Sequence, residues 1–231
     1  MQQAERGERI LEAAGELLVA WGYRRVTIDE IARRAEVGKG TVYLHWKTKD
    51  SLLLAVVLNA KWHSHRRQLE RMRADPLNIL PSRMMLGFHQ DFLRTPVLRA
   101  LHTSDSDILG RLNDAAKKEF AELMELGDQV TIRTLEVLRE HGLVRTDDDV
   151  RHQYYALMAI ATGFFMTEAL MFERAPDTPE ARGGILAETV RRALETSADH
   201  PAVTAAAPEV IALFEQIEQR TEQELRRQLR D

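Results

Sequence analysis

A chain of 231 residues is long for one ordinary domain and short for two, so a small module joined to a larger one is the natural expectation. It contains no cysteine, which excludes disulfides, thiolate nucleophiles and Cys-ligated zinc, and its 12 Gly and 7 Pro alongside 44% hydrophobic residues favour long helices over disorder. The formal net charge of −4 excludes a surface that is basic throughout, yet residues 24–49 hold seven basic and three acidic residues, +4 locally, leaving −8 on the remainder.

Met1 to Arg9 is polar and carries no apolar signal core, so the protein is expected to stay in the cytoplasm. Ile10, Ala14, Leu17, Leu18 and Trp21 recur on one helical face and predict a first helix over about 5–21, ended by Gly22. Thr27-Ile28-Asp29-Glu30 reads as a capping box in which the Thr27 hydroxyl caps a second helix and Glu30 reaches back. That helix buries Ile28, Ile31, Ala32 and Ala35. A short third helix begins at Gly38 and turns Val42 inward, giving two short helices at a tight angle. Lys47 to Asp50 is a polar break, after which Thr48, Asp50 and Ser51 start a longer helix through Leu52, Val56, Ala60, His63 and Arg67.

Pro76, Pro81 and Pro96 limit the next helices to about 82–94 and 97–103, with Ser104 to Asp107 as a turn or cap. A single long helix is expected from about Arg111 to His141, ended by Gly142. Asp147 to Asp149 cap an apolar helix that reaches Phe172. The run from Tyr154 to Phe172 approaches a membrane span in length, but Thr162, Gly163, Thr167 and Glu168 interrupt it, so a helix covered from two sides fits better and no membrane partner is expected. A loop carrying Pro176, Pro179, Gly183 and Gly184 leads into a helix of about 185–197, and Pro208 opens a last one. With no period-two strand pattern the expectation is an all-α chain: residues 1–47 as a three-helix helix-turn-helix domain, residues 48–231 as a larger helical domain.

The segment Gly38-Lys39-Gly40-Thr41-Val42-Tyr43-Leu44-His45-Trp46-Lys47-Thr48-Lys49-Asp50, together with Val26-Thr27-Ile28-Asp29-Glu30-Ile31-Ala32, resembles the signature of TetR-type transcriptional regulators. The resemblance covers about residues 9–55 and implies a repressor that grips double-stranded operator DNA through the third helix, dimerises through its larger domain and responds to a small-molecule effector. The residue chemistry agrees. Gly40 lets the backbone approach a duplex closely, and Lys39 and Thr41 reach phosphate or base edges. Tyr43 offers a hydroxyl or a ring edge, His45 a donor to the backbone, and Lys49 a charge where a phosphate meets the fourth helix. Thr27 serves as cap and contact, while Trp46 reads as packing between helices. Two departures from the family pattern stand out: Glu36 occupies a turn position often held by Gly, and Gly38 replaces a common Ser or Thr cap.

The resemblance places an effector region on the later helices, where Trp62, Met84, Met85, Phe88, Phe92, Phe120, Met124, Tyr155, Met158, Thr162, Phe165 and Met166 supply apolar lining. Met and aromatic residues at this spacing also make plain core. Glu168, an acid within an apolar helix, is a candidate anchor for a cationic or hydroxylated ligand or one half of an ion pair. His63 and His65 stand two apart and point to different sides of a helix, so no metal site is expected. No cofactor is expected either. A helical hydrolase or lyase would need a phosphate loop, a nucleophile elbow or an oriented base, and His102, Asp105 and Ser106 form none of these. A regulator controlled by a protein partner, or acting without a ligand, is the alternative within the family.

Overall fold

The computed structural model describes residues 2–103, 105–171, 174, 178–196 and 199–228, and within these the side chains of all but residues 2–4, 106, 168 and 169. The described residues are helical almost throughout. The helices are α1 (Gln2–Arg25), α2 (Ile28–Arg34), α3 (Lys39–His45), α4 (Lys49–Ala74), α5 (Pro81–Arg94), α6 (Pro96–His102), α7 (Ser106–Leu109), α8 (Leu112–Glu119), α9 (Ala121–Glu140), α10 (Val150–Leu170), α11 (Pro179–Leu194) and α12 (His200–Gln228). A 3-10 turn (Pro76–Ile79) joins α4 to α5, and a single antiparallel bridge between Val144 and Glu195 is the only β pairing among the described residues. None of the helices among these residues is long and apolar enough to cross a membrane.

The chain forms two compact units, one within Met1–His63, Thr95–Glu122 and Gln219–Asp231, the other within Ser64–Arg94 and Leu123–Glu218. The first contains α1 to α3, the opening half of α4, and α6 to α8. Its core is built from the predicted faces: Ile10, Ala14, Leu17, Leu18, Ile28, Ile31, Ala32 and Val42 are buried, and Trp46 is completely so. Gly22 interrupts α1 where the sequence places its end: its backbone (φ 73°, ψ 162°) is not helical, and a separate turn follows it to Arg25. The kink allows a close approach: a Cβ on Gly22 would collide with the carbonyl oxygen of Asp107. The start of α4 is fastened to the end of α1. The Tyr23 hydroxyl donates to Asp50 at 2.6 Å, Arg111 bonds both, and the Lys49 ammonium lies 4.3 Å above the Tyr23 ring. Burial and the Asp50 carboxylate together raise the Tyr23 pKa, so this phenol stays a donor.

In the second unit α11 packs on α5 and α10. Phe92 and Phe165 stack at 4.6 Å between ring centres within a core that includes Leu69, Met84, Leu138, Leu157, Val190 and Phe214. Beneath it Asp91 is fully buried on α5 and takes hydrogen bonds from Ser64, Arg67 and Arg71 of α4.

Three boundaries differ from the sequence expectation. The long helix over 111–141 is two, because the backbone at the buried Phe120 leaves helical geometry (φ −107°, ψ 23°) between α8 and α9. The glycines read as a loop before residue 185 lie inside α11, which starts at Pro179 under a Thr178 cap. Gly183 is there for packing: a Cβ would meet Leu86 at 2.9 Å and His89 at 3.1 Å. Pro208 sits within α12, which begins eight residues earlier at His200 because buried Val203, Ala206, Ala207 and Val210 carry one apolar face across it. The helix through Arg67 continues to Ala74, burying Leu69 and Met72. The expected helix end at Phe172 and the Ser104 position lie outside the described residues.

Candidate DNA interface

Two caps set the short helices. Thr27 holds extended backbone (φ −123°, ψ 156°), its Oγ1 accepts from the Glu30 N–H at 3.3 Å, and its hydroxyl donates to the Glu30 carboxylate at 2.9 Å. Glu30 thus grips the cap's side chain rather than its backbone. At the other end of α2 the Glu36 N–H donates to Arg33 and the Val37 N–H to Ala32, with Glu36 in the left-handed region at φ 55°. These bonds turn the chain tightly into α3, whose N-cap residue, Gly38, provides no side-chain cap. Thr48 and Ser51 then cap α4 reciprocally, each side chain accepting from the other's backbone N–H.

The chain buries one side of α3 and leaves the other bare. Val42 is buried, whereas Gly40, Tyr43 and Leu44, at i, i+3 and i+4, share an outward face. A Cβ built on Gly40 meets nothing within 4 Å, so packing inside the chain does not call for glycine there. Lys39 is exposed and ion-paired to Asp29 at 2.8 Å, which raises its pKa and fixes its ammonium at the edge of this face. Thr41 is half-buried beside it. Lys49 is half-buried too, and donates to the carbonyls of Tyr23 (2.9 Å) and Val26 (3.1 Å), so two of its three N–H groups serve the fold.

His45 is placed differently from the sequence reading. It is turned inward, 7% exposed, with its ring 5.4 Å from that of Trp46. Burial, helped by the Arg6 charge, lowers its pKa, so a neutral packing imidazole stands where a donor to DNA was expected. Trp46 is core, as its apolar surface demands, although its Nε1 finds no hydrogen-bond partner among the described residues. Sequence reasoning missed Leu44, 80% exposed, whose spacing from Gly40 was the available signal.

The candidate effector residues do not form one group. Phe92 and Phe165 stack in the second unit's core, where Met84 and Met85 are buried and the half-buried Phe88 and Met158 pack against it. Trp62 and Phe120 belong to the first unit. Met124 is exposed on α9. Tyr155, Thr162 and Met166 are exposed on α10 and so do not line the interior. The Glu168 side chain lies outside the described residues. A cleft of about 480 Å³ between α1 and α2 borders none of them; Leu17, Trp21, Arg33 and Glu36 are among its walls.

Two short helices at a tight turn, the second with one bare face, have the geometry of a helix-turn-helix. Residues 10–56 match the family model of bacterial regulatory proteins, tetR family. The uncharacterized HTH-type transcriptional regulator YvkB of Bacillus subtilis is 25% identical over 177 residues, which are 76% of this chain and 89% of that protein. Other relatives match over the head alone, for example 44% identity over 55 residues, 24% of this chain and 29% of the relative's length. Among solved structures, NalD of Pseudomonas aeruginosa, the secondary repressor of the MexAB-OprM multidrug efflux pump, superposes with a TM-score of 0.61 at 20% identity over 84% of this chain and all of that one. FadR of Bacillus subtilis, solved in complex with stearoyl-CoA, gives a TM-score of 0.61 at 17% identity over 79% of this chain and 96% of that one. Residues 10–56 are thus similar to the head of bacterial regulatory proteins of the tetR family, and the chain as a whole shares the fold of these solved regulators.

Proposed function

We propose that the protein is a homodimeric repressor in which residues 1–47 form the DNA-reading head and residues 48–231 bind a mainly apolar effector that releases the operator. The observation that carries the DNA-reading role is the bare face of α3. Gly40 costs an exposed helix about 0.5–1 kcal/mol relative to Ala, and with no atom within 4 Å to require it, its use is to admit a duplex. Thr27, Lys39, Thr41, Tyr43 and Lys49 surround that face, with His45 supporting α3 from within. Effector release is supported by the apolar core of the second unit, around Phe88, Phe92, Met158 and Phe165, and by the stearoyl-CoA complex of the FadR neighbour.

The head assignment is tested by titrating selected operator DNA at several salt concentrations. Three to four phosphate contacts per half-site give a log–log slope of about −5 to −7, and an affinity indifferent to salt would refute the assignment. Lys49→Ala weakens binding to every sequence and lowers thermal stability with it, since this ammonium also ties α4 to Tyr23 and Val26. Thr41→Ala and Tyr43→Ala alter base preference as well.

A further inference from the structure

Leu44 is the most exposed large hydrophobic residue among those described, at 80%, and it stands on the helix assigned to reading DNA. Beside it Tyr43 is 45% exposed, and one turn back Gly40 leaves a notch open to solvent. The centre of the α3 face is therefore apolar, while cations flank it along the chain: Lys39 opens α3 and is held by Asp29, and the exposed Lys47 follows two residues after its end. A duplex has the complementary arrangement, with phosphates along the rim of the major groove and base edges at its floor. Leucine has neither donor nor acceptor, so it cannot read the polar pattern of a base pair, and it has no charge with which to hold a phosphate. The single base-edge group that it complements is the C5 methyl of thymine.

We infer that Leu44, with the ring of Tyr43, seats the methyl group of one thymine in each operator half-site, making recognition at that base pair depend on the methyl. This rests on α3 being the reading helix. The test uses the full chain and a duplex selected by it from a random-sequence pool, with each thymine replaced singly by deoxyuridine, which removes the methyl and keeps the base pairing. Affinities are measured at low salt, where phosphate contacts keep weakened variants on DNA. The expected result is one position per half-site at which uracil weakens the wild type about three- to fivefold, the worth of one buried methyl, and weakens Leu44→Ala clearly less, since only the Tyr43 ring still meets the methyl there. Because Leu44 is exposed, the Leu44→Ala variant keeps the wild-type melting temperature. The inference is overturned if no uracil replacement weakens the wild type, if Leu44→Ala shows the same uracil sensitivity, or if Leu44→Ala loses all binding at low salt, since one methyl seat cannot carry that much. In each of these cases sequence-selective binding by the wild type leaves the DNA reading standing. A pool that yields no enriched sequence removes the DNA reading and this inference together.

Discussion

Glu36 adopts φ 55°, where a side chain crowds the following carbonyl at a cost of about 1–2 kcal/mol and glycine suffers no such clash. The two backbone bonds that close α2, Glu36 N–H to Arg33 and Val37 N–H to Ala32, need the left-handed turn but not the carboxylate. Glu36→Gly therefore keeps both bonds and relieves the crowding, and is expected to stabilise the chain by about 0.5–1 kcal/mol in urea denaturation. It also removes a negative charge from the turn that leads into α3. Glu36→Ala separates the two effects: it removes the charge and retains the strain, so DNA affinity at low salt rises while stability does not. Equal stabilities for Glu36→Gly and the wild type would show that the turn already relaxes around the side chain.

On the scale of elements, Asp91 joins α5 to the second half of α4. Its carboxylate accepts from Arg67 Nε at 2.7 Å, Arg71 Nη2 at 2.8 Å and Ser64 Oγ at 3.0 Å. Burial alone would raise its pKa, but the hydrogen bonds and charges of Arg71 and Arg67 outweigh burial and hold it below the usual carboxylate value. A depressed folded-state pKa gives stability that is fully present above the unfolded value, near 3.8, and is lost as pH falls through the folded one. Unfolding free energy measured down the pH scale should then drop below about pH 4, and Asp91→Asn should be less stable at neutral pH, by about 3–5 kcal/mol, with a flatter acid limb. Elements governed by local chemistry were legible in the sequence: the Thr27 cap, the Asp149 cap of α10, and the apolar faces of α1 and α2 all form where residue type places them. Those decided by tertiary packing were not. Gly183 and Pro208 carry loop chemistry but lie in helices, because α11 must approach α5 closely and because α12 has an apolar face to bury on both sides of the proline. The inward turn of His45 is of the same kind, since a histidine beside Lys47 carries no local signal of burial.

At the scale of the whole molecule, α10 leaves Tyr155, Ala159, Thr162, Gly163, Met166 and Leu170 exposed at helical spacing, and Ile185 of α11 is exposed as well. A second copy presenting the same two helices would cover this stripe in a four-helix contact. Phe165 and Ala161 of the same helix are buried in the protomer's own core. Ala159→Arg should therefore give a folded monomer by circular dichroism and light scattering at micromolar concentration, whereas Phe165→Arg should fail to fold. A wild-type monomer at that concentration would remove the dimer. In a dimer, the spacing of the two α3 helices controls operator affinity, because successive major grooves lie about 34–36 Å apart. The α4 helix runs unbroken from Lys49, beside the DNA face, to Ala74, with its second half ion-paired to α5. If the proposed effector acts by shifting α5 against the second half of α4, it needs no contact to DNA. To lower operator affinity about 5- to 150-fold it must prefer the DNA-incompetent dimer by about 1–3 kcal/mol, and linkage requires operator DNA to weaken effector binding by the same factor. Screening apolar metabolites by thermal shift supplies the ligand, and calorimetry with and without saturating operator supplies the comparison. Equal effector affinities in the two titrations would mean that the ligand binds both states alike and shifts nothing, however tightly it is held, and control by a protein partner would take its place.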